Sequence, residues 1–154
     1  MRIGDWGLYN RAVGLTPQVF GLLLAALQVG MPDTALTRLF TPLAVPPGTY
    51  VVYSSAETIE TLTARLRALD PSPAPGAWEA TRPEAHGAFG QEGLYDRGRL
   101  ARLFNGKRVT VVRGSLTGEG RRLAYTLVSP YPDATLSRIV EGTMVIEFRV
   151  PSLE

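Results

Sequence analysis

Residues 143–150 read TMVIEFRV, and this stretch decides the fold class. Apolar and charged side chains alternate along it, which indicates a β-strand with one face in the core and the other in water. That arrangement is typical of an antiparallel sheet. We expect the core face to carry Met144, Ile146, Phe148 and Val150, and the solvated face to carry Glu147 and Arg149.

Two further strands are predicted immediately upstream, at 108–113 and 123–129. They flank a Gly-containing loop at 117–120, which indicates a hairpin. Pro130 and Pro132 follow the second strand and would end it, because proline cannot donate to a strand ladder.

A strand and a helix are predicted before the hairpin. Residues 49–53 are β-branched and aromatic, and Ser54 with Glu57 resembles a capping box. Asp70-Pro71 would end the helix. The predicted apolar stripe of this helix is Ile59, Leu62, Leu66 and Leu69.

A long loop over 70–93 and a second helix complete the expected domain. The loop is rich in Pro, Ala and Gly, and we expect Trp78 and Phe89 to anchor it. The helix would run from Asp96 to Asn105-Gly106. The sequence therefore predicts an α+β fold over 48–154 with a mostly antiparallel sheet and two helices.

Residues 12–32 contain no ionisable side chain. As a helix they would reach roughly 30 Å, the thickness of a bilayer's hydrocarbon core, so we expect residues 1–31 to hold a hydrophobic helix that anchors the chain in a membrane. Trp6, Tyr9 and Arg11 would then lie at the membrane interface. The same pattern suits a cleaved signal peptide or a buried core helix. Residues 32–47 carry four prolines and are predicted to be an extended connector.

The segment 97–122 has eight basic residues and a single acid, Glu119. It is the best candidate for a binding surface, towards an acidic protein face or anionic headgroups, or else it is an ordinary solvated surface. No nucleic-acid motif accompanies the charges, so nucleic acid is an improbable partner. The basic residues are Arg97, Arg99, Arg102, Lys107, Arg108, Arg113, Arg121 and Arg122.

Composition narrows the chemistry that is available. The chain has no cysteine, which removes disulfides and thiolate chemistry, and its single histidine, His86, cannot form a His-rich metal site. We expect no metal and no cofactor. The net charge of +2 does not demand an acidic partner.

Four functions remain open from the sequence, one of which is a soluble cytoplasmic interaction domain. The first is a non-enzymatic accessory subunit of a larger bacterial membrane complex, for which a respiratory or photosynthetic complex would be a typical host, with its folded domain in the periplasm. The second is a secreted or periplasmic binding module whose residues 1–30 are removed. The third is a small enzyme, which would need His86, Tyr95, Asp96 and Arg99 to converge.

Overall fold

The computed structural model describes residues 30–40, 50–91, 97–118 and 121–150. Its centre is a six-stranded antiparallel sheet in the order β1-β2-β8-β5-β4-β3. A short β6–β7 ladder lies apart from it. The strands are β1 Met31–Pro32, β2 Tyr50–Ser55, β3 Ala80–Thr81, β4 Thr110–Gly118, β5 Arg121–Ser129, β6 Tyr131–Pro132, β7 Ile139–Val140 and β8 Thr143–Val150.

Helices cover both faces of the sheet. One face packs against α1, α3 and α4 through an apolar cluster that includes Leu36, Phe89 and Phe104. The other face packs against α2 and the indole of Trp78. The bounds are α1 Thr34–Phe40, α2 Ile59–Ala68, α3 Ala85–Gln91 and α4 Arg97–Phe104. The predicted α+β class with an antiparallel sheet is confirmed, although the described residues contain four helices where two were predicted.

Strand β8 has the predicted range, but the prediction of a wet face was wrong. Met144 and Ile146 are buried on one face, and Val145 and Glu147 are equally buried on the other. Helix α2 and Trp78 cover this second face, so alternation along β8 separates two cores rather than core from water.

The segment predicted to be an extended connector contains Pro32 of β1 and the whole of α1, so that prediction was wrong for residues 32–40. Met31 and Pro32 pair with Ser54 and Tyr53 of β2. The Leu36 N–H donates to the Asp33 carboxylate (2.9 Å), which caps α1, and the Leu36 side chain is buried. The folded unit therefore includes residues before Gly48.

Two local predictions upstream of the hairpin need correction. The segment 70–93 is not a continuous loop, because it contains β3 and α3. The N-cap of α2 is Thr58, whose hydroxyl accepts from the Thr61 N–H (3.2 Å), rather than Ser54, which still belongs to β2. Glu57 instead accepts from the Arg65 guanidinium.

In the described part of the chain, no helix combines the length and the apolar character that crossing a membrane requires. Most of the uncharged segment 12–32, with the interface residues Trp6, Tyr9 and Arg11, lies outside that part.

Candidate functional site

The outer edge of β4 is paired with a described strand over only part of its length. β4 pairs with β5 along all nine residues but with β3 only at Val111 and Val112. The Arg113 carbonyl accepts from the Trp78 N–H (2.8 Å), so it points away from β5. Backbone groups alternate along a strand, and therefore those of Ser115 and Thr117 also point away from β5. No described strand pairs with them.

Trp78 explains why β3 does not continue along this edge. Its φ is 64°, a left-handed conformation that a bulky residue rarely adopts, and it turns the chain preceding β3 away from β4. The buried indole packs directly over Gly114, where an added Cβ would lie 2.3 Å from the ring. The indole N–H donates to the Asp70 carboxylate (2.8 Å), which fixes the ring. The pairing between β3 and β4 therefore ends at Trp78, whose side chain is held in place by packing and by the hydrogen bond to Asp70.

The surface beside this edge is basic. The register places Arg113, Ser115 and Thr117 on the same face as Arg122, which lies opposite Thr117. Arg113, Thr117 and Arg122 are exposed. The described residues of β4 and β5 include no acidic side chain. We call Ser115, Thr117 and their flanking arginines, Arg113 and Arg122, the β4 edge.

The other basic residues whose side chains the structure describes lie in other parts of the fold. Arg99 and Arg102 line a shallow pocket of about 250 Å³ with Leu103 and Leu136, and Arg99 donates to the Thr135 carbonyl (2.8 Å). Arg108 donates to the carbonyl of Arg82 (2.7 Å). Lys107 is exposed. The side chains of Arg97 and Arg121 are outside the described set.

A polar cluster is buried between the sheet and α2. The Tyr125 hydroxyl donates to Glu147 Oε2 (2.7 Å), while Glu147 Oε1 and Arg149 Nε are buried without a hydrogen-bond partner among the described residues. Burial raises the pKa of Glu147, although the Tyr125 hydrogen bond and the Arg149 charge oppose this. Burial and the neighbouring carboxylate raise the pKa of Tyr53 to about 12.

This arrangement favours a neutral Glu147, since an ionised carboxylate without full hydrogen bonding is costly in a core. A neutral carboxylic acid can store or transfer a proton. Glu147 is fully buried, however, so no substrate reaches it in this conformation. Glu147 therefore affects the stability of the fold and the way in which that stability depends on pH.

A groove of about 340 Å³ lies between α2 and the β3–β4 pair. Its floor is largely apolar and includes Ile59, Trp78 and Val112, while Glu60 and Arg67 stand at its rim. The groove could accept a small apolar group with one polar end.

The residues of the enzyme hypothesis do not share a described pocket. His86 Nε2 lies 3.3 Å from Glu84 Oε2 on an exposed surface, whereas Arg99 lines the pocket with Leu136. Tyr95 and Asp96 lie outside the described residues. Within the residues that the structure describes, no group of three His, Asp or Glu side chains is placed to hold a metal ion.

The two predicted loop anchors lie on opposite faces of the sheet. Trp78 is buried against α2 and Phe89 is buried with α3 and α4. Phe89 packs 6.0 Å from Phe104 between ring centroids. Each aromatic residue therefore contributes to one of the two cores.

Sequence reasoning missed the β4 edge and the burial of Glu147. The length difference between β3 and β4 was not visible, because β3 has only two residues. The sequence pattern of β8 predicts that Glu147 faces solvent, but in the fold α2 covers this face of the sheet. Comparison of the chain with protein-family models, curated proteins and solved structures finds no match.

Proposed function

We propose that the chain is a non-enzymatic accessory subunit of a larger bacterial membrane complex. The part of the uncharged segment that precedes the sheet, residues 12–29, holds it to the lipid bilayer, and the α+β domain docks onto a neighbouring protein subunit on the periplasmic side. The β4 edge carries the proposal, because unpaired strand backbone is a ready template for pairing with another chain.

The geometry of the edge supports docking for two reasons. Natural proteins commonly protect a sheet edge by charge, proline, bulging or a covering element. β1 carries Pro32 at one end of the sheet, whereas β4 has no proline and keeps a regular register from Thr110 to Gly118. Of these protective devices the β4 edge thus carries only charge, in Arg113 and Arg122, and its strand geometry is open to pairing.

The groove between α2 and Trp78 favours a second function, a secreted or periplasmic binding module. In that case residues 1–30 are a signal peptide, and the mature chain binds a small apolar ligand over Ile59 and Val112. The two functions differ in the mass of the mature chain.

Fractionation of the native host's membranes tests the proposal. Carbonate washing, then mild detergent and intact-mass measurement, should yield the 16.7 kDa full-length chain comigrating with a larger assembly. A shortened chain in the soluble fraction, or a monodisperse monomer without detergent, would contradict it.

A matched pair of variants sharpens the result. Leu23→Arg adds a charge to the uncharged segment, at a cost of about 3 kcal/mol in a bilayer core, and should release the chain into the carbonate wash. Ala74→Arg adds the same charge at an exposed site and should leave the chain in the membrane fraction.

A further inference from the structure

We infer that the β4 edge binds an extended, acidic segment of the partner protein, which joins the sheet as a further strand. The inference rests on the proposed docking function and adds the chemistry of the partner. Its basis is the combination of backbone groups at Ser115 and Thr117, which no described strand pairs, with the exposed arginines beside them.

The outward-facing backbone groups of Ser115 and Thr117 define the length and position of the added strand. Ser115 and Thr117 each offer one N–H and one C=O to a neighbour. Ser115 and Thr117 are two positions apart and therefore lie roughly 7 Å from each other along the strand, a distance that suits three to five residues of partner chain. The added strand would lie in line with β3 and begin where Trp78 turns away from β4.

The charge at this edge selects the partner. Alternate side chains of an added strand would lie beside Ser115 and Thr117, with Arg113 next along β4 and Arg122 opposite Thr117 on β5. Glutamate or aspartate at those positions would face the arginines, whereas lysine or arginine would repel them. An acidic segment with apolar residues on its other face therefore fits.

The same charges disfavour a second copy of this chain as the occupant. An antiparallel pairing centred on Ser115 would place Arg113 of each copy opposite Thr117 of the other. Arg122 of each copy would then stand two strands from Arg113 of the other copy, on the same face. This would gather four guanidinium groups on one face of the joined sheet, where like charges repel.

A fluorescent peptide in which glutamate alternates with valine is a direct probe. Its binding to the full-length chain in mild detergent is measured by anisotropy, beside a peptide with lysine in place of glutamate. The glutamate peptide should bind at least tenfold more tightly than the lysine peptide, and less tightly as salt is added.

Variants at Thr117 separate the backbone contribution from the side chain. Thr117→Pro removes an N–H that points away from β5, so the β4–β5 ladder stays intact, and binding should weaken about tenfold. Thr117→Val keeps the N–H and should bind within about twofold of the parent. Circular dichroism melting confirms that both variants are folded.

Arginine variants test the charge. Arg122→Gln should weaken binding about threefold and reduce its salt dependence, whereas Arg67→Gln on the exposed side of α2 should change neither.

Three results would overturn the inference: no binding of the glutamate peptide, equal binding of both peptides, or undiminished binding by folded Thr117→Pro. Self-association that Thr117→Pro abolishes would also overturn it, since a second copy would then be the occupant. If the chain still comigrates with a membrane assembly, the proposed function survives while this inference fails.

Discussion

Gly114→Ala should destabilise the protein strongly, because the indole of Trp78 occupies the space that a side chain would need. A Cβ at this position would lie 2.3, 2.4 and 2.5 Å from three carbons of the ring. Carbon atoms in contact normally stand about 3.5–4.0 Å apart, so the ring would have to move by more than about 1 Å.

The ring has little freedom to move. Trp78 is 3% exposed, its backbone N–H donates to the Arg113 carbonyl (2.8 Å), and its indole N–H donates to the Asp70 carboxylate (2.8 Å). Overpacking a filled core costs about 1–3 kcal/mol, and loss of a hydrogen bond to a charged acceptor adds about 1.5–3 kcal/mol. We expect a loss of about 3 kcal/mol, or a fall in Tm of about 6–12 °C for a chain of this size.

Thermal and urea unfolding, followed by circular dichroism in the same mild detergent, measure this effect. Gly87→Ala is the matched control, because Gly87 lies in α3 with nothing within 4 Å of an added Cβ. It should stabilise the chain by about 0.5–1 kcal/mol, the helix preference of alanine over glycine. A loss below about 0.5 kcal/mol for Gly114→Ala would refute the reasoning about Trp78.

Two buried or partly buried acids give opposite pH dependences. Because burial raises the pKa of Glu147, the stability of the parent protein should fall as pH rises above about 4.5. Glu147→Gln keeps an acceptor for the Tyr125 hydroxyl and should abolish that fall in urea titrations from pH 4 to pH 8. An unchanged dependence of stability on pH in this variant would contradict the prediction. Partial burial would raise the pKa of Asp133, but hydrogen bonds from Ser137 and Thr135 outweigh it and hold the pKa at about 2. Asp133 therefore stabilises the fold above about pH 4 and loses this effect as pH falls through 2, so Asp133→Asn should cost about 1–2 kcal/mol at pH 7 and little at pH 2. Equal losses at both pH values would exclude this role.

The sequence predicts elements whose local pattern and tertiary packing agree. The stripe of α2 is an example, because Ile59, Leu62 and Leu66 have helical spacing and all three are buried. The hairpin and β8 are similar, since their strand pattern coincides with their pairing in the sheet. In such elements, periodicity and burial carry the same information.

The sequence fails where packing overrides the local pattern. α3 forms in a segment rich in glycine and alanine, and it is held by burial of Ala85, Ala88 and Phe89. Glu147 reads as a solvent-facing residue, but α2 covers its face of the sheet. The β4 edge is equally invisible in the sequence, because it depends on where Trp78 turns the chain.

Amide hydrogen exchange at β4, in the isolated chain and in the native membrane assembly, tests the account most directly. The amides of Ser115 and Thr117 point away from β5 and should exchange rapidly in isolation, whereas the Leu116 amide, directed at β5, should be protected in both states. In the assembly, Ser115 and Thr117 should become protected at least tenfold. Equal exchange of these two amides in both states, beside a protected Leu116, would show that the β4 edge does not hold the partner.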